Sequence, residues 1–397
     1  MTWKPYEPHS IERIQLVYKL VERCNLNCSY CYYYNMGDET ALHRPALASL
    51  ECTTQLAQWL AAGCKALCIP KVLISFHGGE PMLMHATEFA KACDIFVRTI
   101  SPVAEVSFAI QTNGTLLTDG WLEALKGYRV AVGVSIDGNR LAHDRFRLDH
   151  KGRSSFLKTE QAIKRLVDLS STTPQLQPST ISVLNHEVDY KEIYSYLREL
   201  GVKSLHFLLP DRNADKASEQ VDQEAAALGL GMLDIFEAWL TEDDPDINIR
   251  FINETLGHFQ LDEVSQCFPQ RRKSNQILVA RTDGTIAIDD SLIPALDWYE
   301  TVSEFPVSDY SLQDVLKDPI FTLLEDEKNH LPDDCNACRW AQMCRGGDLE
   351  NRYSKLRGFN NKSVYCNTYK ALYSGICDFL VANGYPSAEI EKRFGVQ

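Results

Sequence analysis

The amino-acid sequence predicts an α/β fold built on a parallel sheet, on two observations. Six short apolar runs bounded by turn residues alternate with amphipathic stretches through the first half of the chain, and their short connections imply right-handed crossovers. Polar, glycine-containing segments recur where these runs end, and that rim is where such folds gather ligands. An open doubly wound sheet and a partial barrel both satisfy this alternation.

The predicted strands are Gln15–Val21, Val72–Phe76, Val106–Ile110, Val130–Ile136, Thr180–Leu184 and Leu205–Leu209. Between them Leu47–Cys68, Ala86–Ile100, Asp119–Leu125, Phe156–Leu169 and Tyr190–Leu200 carry apolar residues at helical spacing. After Pro210 the rhythm changes. Asp211–Gln223 is polar, Ala225–Leu240 reads as a helix, and Thr241–Asp246 (TEDDPD) is an acidic turn. Beyond Leu261 strong periodicity is scarce, apart from a hairpin expected over Leu278–Ile288 that turns through Asp283-Gly284. The expected organisation is an N-terminal extension (1–12), a first domain (13–210), a linker and helix (211–262) and a C-terminal domain (263–397).

Composition narrows the class. The 397 residues are 45% hydrophobic and 24% charged without a long low-complexity run, which excludes disordered and collagen-like chains. A net charge of −14 argues against holding phosphate backbones, so no nucleic acid is expected as a partner. No apolar stretch is long enough to span a bilayer, and Met1–Ser10 has no apolar signal region, so the expected location is cytoplasmic, away from membranes. In that reducing compartment thirteen cysteines are free to bind metal.

Cys24-Asn-Leu-Asn-Cys28-Ser-Tyr-Cys31 puts three thiols directly after the first predicted strand. A structural zinc would want a fourth ligand at finger or ribbon spacing, and none follows. Three thiols on one tight loop suit three irons of a [4Fe-4S] cluster whose fourth iron stays open, although zinc or packed thiols fit the loop taken alone. His77-Gly78-Gly79-Glu80-Pro81 ends the second strand, where two glycines permit close backbone approach and Glu80 offers an acceptor for an ammonium group. An ordinary strand-to-helix turn would read the same. Gln111-Thr112-Asn113-Gly114 and Ser135-Ile136-Asp137-Gly138 add polar groups at the third and fourth strand ends.

The C-x-x-x-C-x-aromatic-C loop, with Tyr30 before its last cysteine, together with Gly-Gly-Glu-Pro at 78–81 resembles the radical S-adenosylmethionine superfamily. The resemblance implies a partial six-stranded parallel (β/α) barrel whose cluster, on Cys24, Cys28 and Cys31, binds S-adenosylmethionine at its open iron. It further implies that Tyr30 lies by the adenine, Gly78, Gly79 and Glu80 by the methionine amino group, and Ser135 by the ribose. Arg147 is implied as a carboxylate contact, against a solvated helix-capping role. The implied chemistry is one-electron cleavage of the sulfonium, giving a 5′-deoxyadenosyl radical that removes hydrogen from an unactivated carbon.

The C-terminal part holds Cys267, Cys335-Asn-Ala-Cys338, Cys344 and Cys366. By spacing, zinc and iron–sulfur are equal readings of these thiols. C-x2-C-x5-C with a distant cysteine is similar to the SPASM or twitch-like auxiliary-cluster domains of peptide-modifying radical enzymes. That family's second auxiliary cluster would need cysteines where this chain has Asp289 and Asp348. One auxiliary [4Fe-4S] cluster on Cys335, Cys338, Cys344 and Cys366 is therefore implied. Cys267, Cys52, Cys64, Cys68, Cys93 and Cys377 are expected to be packed thiols.

Leu209-Pro210-Asp211, the Gly346-Gly347-x4-Arg352-Tyr353 segment and Ser363-Val-Tyr-Cys366 resemble maturases of ribosomally made peptides that form three-residue cyclophanes, of XYE and GRR type. The implied reaction removes a β-carbon hydrogen two residues after an aromatic side chain and joins that carbon to the ring. The electron would leave through the auxiliary cluster and the proton would go to a base. Asp290, by resemblance to sulfatase-maturing enzymes, is the candidate base, with Asp289 and Asp211 as rivals. Implied partners are a precursor peptide and an electron donor such as flavodoxin or ferredoxin. The 23 residues before Cys24 are too few for a winged-helix peptide-recognition module. The alternatives are oxidation of Cys or Ser to formylglycine, and a non-enzymatic zinc-stabilised binding protein.

Overall fold

The structure is a computed structural model that describes residues 11–259 and 274–394. Strands β1 (Arg13–Val21), β2 (Lys71–Gly78), β3 (Glu105–Thr112), β4 (Ala131–Ser135), β5 (Ser179–Val183) and β6 (Ser204–Leu208) are the six the sequence predicts. Four short strands join them: β7 (Asn248–Ile249), β8 (Ile277–Ala280), β9 (Thr285–Ala287) and β10 (Phe305–Pro306). All ten form one sheet in the order β10-β9-β8-β1-β2-β3-β4-β5-β6-β7.

That order decides between the two architectures. A doubly wound sheet reverses direction at a switch point. Here β1 to β7 follow chain order and every neighbouring pair is parallel, so right-handed crossovers lay the connecting helices on one face and the sheet curls as a partial barrel. The curl stays open, because β1 pairs with β8 on its free side and not with the far edge. The hairpin β8–β9 turns through Gly284 at φ 84°, as the Asp-Gly pair predicts.

Residue alternation separates the two faces. Tyr18 and Phe76 point outward, where Phe76 meets Phe89 at 4.7 Å and Tyr18 meets Phe96 at 6.0 Å, ring centre to ring centre. The helix that carries both partner rings, Ala86–Ile100, and the helix Leu50–Leu67, whose Thr53 hydroxyl bonds the Tyr18 hydroxyl at 3.0 Å, begin at His85 and Ser49, whose side chains accept first-turn N–H bonds. The inward face is polar: Gln15 donates to Ser75 at 3.0 Å and Gln111 to Ser135 at 2.8 Å.

Beyond β6, the helix Glu219–Glu242 is longer than its apolar pattern suggests, since its first turn is acidic and exposed. It lies against the helix Cys366–Ala382 through a bond from the Thr368 hydroxyl to the Ala225 carbonyl (2.6 Å) and an edge contact between Phe236 and Phe379. Asp243 ends it in the left-handed conformation, and the acidic turn leads directly into β7. Cys52, Cys64, Cys93 and Cys377 are buried. Cys68 is not a packed thiol: it is exposed, at the left-handed residue that stops the helix Leu50–Leu67. Cys267 lies outside the described residues.

Candidate active site

After β1 the chain enters the loop of Cys24, Cys28 and Cys31, and the strap that follows β2 crosses it. The Gly79 N–H donates to the Val21 carbonyl (2.8 Å) and the Glu80 N–H to the Arg23 carbonyl (2.9 Å). Gly78 sits at φ 131°, and a Cβ there would stand 2.1 Å from the Val21 oxygen. At Gly79 it would stand 2.2 Å from the Arg23 oxygen and 2.3 Å from the Tyr34 hydroxyl. Only glycine admits this approach. Glu80, 1% exposed, accepts from Met82 N–H (2.9 Å), the Thr112 hydroxyl (2.6 Å) and Asn113 N–H (2.7 Å). It thereby ties the ends of β2 and β3 together and keeps about one acceptor position for a further donor.

Tyr30, Asp137 and Arg147 form a second tie. The Tyr30 hydroxyl donates to both Asp137 oxygens (2.8 and 3.0 Å) and accepts from Arg147 Nη1 (2.6 Å), while Asp137 also accepts from Val183 N–H (3.1 Å). Arg147 is buried, so the solvated reading of it fails, and its Nε is a buried donor without a partner among the described residues. Ser135 is half-buried on the inward face, held by Gln111. An anionic group with a free amine suits this ring of groups, with Arg147 Nε as donor and Glu80 as acceptor.

The thiols fit a cationic cluster core. Burial pushes Cys24 up to about 12 and raises Cys28 and Cys31, so at neutral pH only bound metal keeps them as thiolates. Cys335, Cys338, Cys344 and Cys366 line one cavity of ≈ 330 Å³, rimmed by Lys362 and Lys370. Burial pushes Cys335 up to about 11. Among the described residues no three His, Cys, Asp or Glu side chains are grouped to hold one metal ion. A four-iron cluster requires no such group, because each thiol takes its own iron.

Carboxylates gather between these two sets of thiols. Asp290 is 5% exposed and ion-paired with the fully buried Lys19, which also lies 4.3 Å over the Tyr33 ring. Tyr32 donates to Asp290 at 3.3 Å. Burial pushes the Asp290 carboxyl up, yet Lys19, Arg281 and His77 outweigh it and hold it below its ordinary value. His77, beside Lys19 in register, is pushed down to about 4 by burial and that ammonium. Asp289 accepts from Ser291 N–H (3.1 Å), and burial raises it with the Asp290 charge. Asp211 is pushed up to about 7 by burial, then by Asp290 and Asp348. Glu350 is raised too, by burial and then by Asp348, Asp211 and Asp289. All three candidate bases therefore meet in one place, together with Asp348, which stands where a second auxiliary cluster was expected to lose its ligand.

Sequence reasoning missed the cationic centre of this region. Arg281, fully buried, donates to the Tyr33 hydroxyl (2.7 Å) and the Tyr299 hydroxyl (3.1 Å), and Tyr33 in turn donates to Glu22. The available signal was Lys19 within the apolar run Leu16–Val21 of β1.

Residues 18–189 match the family model of the Radical SAM superfamily. A cysteine-type anaerobic sulfatase-maturating enzyme of Clostridium novyi (strain NT) is 22% identical over 358 residues, covering 88% of this chain and 91% of that protein. The structure of native anSMEcpe with bound AdoMet and Cp18Cys peptide superposes with a TM-score of 0.75 at 21% identity, covering 94% of this chain and 98% of that one. Streptococcus suis SuiB bound to precursor peptide SuiA gives a TM-score of 0.59 at 13% identity, covering 89% and 76%. At these identities the likeness to solved structures is one of fold.

Proposed function

We propose that this chain is a radical S-adenosylmethionine oxidoreductase that acts on a peptide or protein segment. The observation that carries the reading is the thiol loop of Cys24, Cys28 and Cys31 strapped by Gly78–Glu80, opposite an acid-lined space and a second, four-thiol cavity. With its [4Fe-4S] cluster and S-adenosylmethionine bound, the site supplies a 5′-deoxyadenosyl radical that takes hydrogen from an unactivated substrate carbon. Gly78, Gly79 and Glu80 hold the methionine amino group, Arg147 its carboxylate, Tyr30 the adenine and Ser135 the ribose. Cys335, Cys338, Cys344 and Cys366 hold one auxiliary [4Fe-4S] cluster in a SPASM-like domain over 263–397, and a buried carboxylate takes the proton. The substrate enters as a peptide, and a flavodoxin- or ferredoxin-type protein supplies the initiating electron.

Two finer reactions fit. The comparisons favour oxidation of Cys or Ser to formylglycine, because sulfatase-maturating relatives align over most of the chain. Asp289 and Asp348 in place of cluster cysteines, with the Gly-Gly-x4-Arg-Tyr segment, favour a carbon–carbon cross-link that forms a three-residue cyclophane. Anaerobic iron analysis tests the common ground: about eight irons per chain are expected from two clusters, and a colourless zinc protein ends the reading. About twelve irons would favour the sulfatase-type reaction. Mass spectrometry of the product separates the two chemistries. A cross-link loses two hydrogens, resists hydrazide trapping and suppresses backbone fragments within the ring, whereas formylglycine is trapped by hydrazide.

A further inference from the structure

Asp211 closes β6 on the same rim as the thiol loop, and its backbone is clamped from the C-terminal region. The Tyr365 hydroxyl donates to the Pro210 carbonyl, and Asn351 Nδ2 donates to the Arg212 carbonyl at 2.9 Å. Next along the chain, Asn213 Nδ2 donates to the Pro294 carbonyl (2.9 Å) and Ala214 N–H to the Tyr353 carbonyl (2.7 Å). Four bonds thus fix residues 210–214 on both sides of Asp211. Its half-buried carboxylate, in contrast, receives no hydrogen bond from the described residues. A side chain held in place yet left unbonded is suited to a guest that brings its own donor.

The neighbouring carboxylates are engaged elsewhere. Asp290 holds Lys19 and Tyr32, and Asp289 closes its own turn on Ser291 N–H. Facing Asp211 are Asp290 beyond β9, Asp348 and Glu350 on the segment after Cys344, Tyr32 after Cys31, and Tyr365. A cation beside them, Arg212, also faces Tyr365 and is ion-paired with Glu224, and the charged members of that set are carboxylates. Burial, then Asp290 and Asp348, push the Asp211 carboxyl up to about 7, where a base is both ionised in part and strong enough to take a proton.

We propose that Asp211 accepts the proton that leaves the substrate, and that Asp290 is a positioning residue acting through Lys19 and Tyr32. The inference rests on the peptide-oxidising reading above and holds for both of its finer forms. In each, a substrate C–H bond breaks and its hydrogen atom ends in 5′-deoxyadenosine. The substrate radical then gives one proton to Asp211 and one electron to the iron–sulfur group of the four-thiol cavity. In the cross-link that proton leaves the ring carbon that has gained the new C–C bond. In the formylglycine reaction it leaves the thiol or hydroxyl as C=S or C=O forms.

The test uses reconstituted holoenzyme with two probes: the Cp18Cys peptide, and synthetic peptides carrying an aromatic residue two places before each other residue type. On whichever probe the wild type converts, Asp211→Asn lowers product per deoxyadenosine by about 100-fold or more, and Asp211→Glu restores part of it. Asp290→Asn lowers product and deoxyadenosine together. Independently of any substrate, the protonated-carboxyl infrared band absent from Asp211→Asn titrates at about 7 in the wild type. Undiminished product per deoxyadenosine in Asp211→Asn overturns the assignment, as does a band that titrates in the ordinary carboxylate range. A loaded wild type that makes no deoxyadenosine at all overturns the functional reading instead, and the infrared titration then decides on Asp211 alone.

Discussion

Replacing Lys19 by Met isolates the energetic core of the site. Lys19 is fully buried and its ammonium faces Asp290, itself 5% exposed, so the substitution strands a buried carboxylate. Breaking a buried pair from one side costs about 3–5 kcal/mol, and because Arg281 still faces Asp290 the expectation is the lower end, about 3 kcal/mol at pH 8. The sign of the pH dependence follows from the two carboxyl states. In the wild type Asp290 is held below its ordinary value, so its contribution is present above the unfolded value of about 4 and is lost as pH falls through the folded one. In Lys19→Met, burial without the ammonium raises the carboxyl, so the variant loses stability as pH rises above about 4. The deficit should therefore be larger at pH 8 than at pH 5, and Lys19→Met with Asp290→Asn should recover most of it. Anaerobic urea unfolding at matched iron content reads both. A deficit below about 0.5 kcal/mol at pH 8, or one equal at the two pH values, would mean that Lys19 does not neutralise a buried Asp290 charge.

Three further outcomes are expected. Gly79→Ala drives a Cβ to 2.2 Å from the Arg23 oxygen, so anaerobic iron analysis should find about four irons fewer per chain, with those of the four-thiol cavity retained. Tyr30→Phe removes the donor that links Asp137 to Arg147; S-adenosylmethionine affinity, read by calorimetry, should fall about 10-fold, equivalent to one lost buried hydrogen bond. Arg352→Met leaves the Phe359, Glu327 and His330 carbonyls without their buried donor, and the urea midpoint should report a loss of about 2–4 kcal/mol.

The six parallel strands were legible because each is a local apolar run, and the helix Ala86–Ile100 was read at both ends from its spacing and the residues beside it. The thiol loop and its strap were legible for the same reason, since each is contiguous in sequence. What escaped depends on partners far apart in the chain. Nothing local marks β8 as the parallel neighbour of β1, or Arg281 as the donor to Tyr33, because both pairings span more than half the chain. The motifs Asn351-Arg352-Tyr353 and Tyr365-Cys366 were visible, but their work was not. Asn351, Tyr353 and Tyr365 bond the backbone around Asp211, and Arg352 bonds three carbonyls of its own region. Choosing among Asp211, Asp289 and Asp290 likewise needed the cation that only one of them meets.

The pairing of β8 with β1 also sets a timetable for the nascent chain. About 260 residues separate the two strands, and at roughly 5–20 residues per second a ribosome takes about 10–50 s to deliver the second after the first. Throughout that interval β1 presents a bare edge, Lys19 awaits Asp290, Glu22 awaits the Arg281 side of its network, and three thiols stand exposed on an incomplete rim. The first half of the chain is thus a waiting intermediate, and protection of the thiol loop is expected only once the hairpin β8–β9 has emerged. Anaerobic pulse-labelling of ribosome-bound chains with a thiol alkylating agent should find Cys24, Cys28 and Cys31 reactive until the hairpin β8–β9 has emerged.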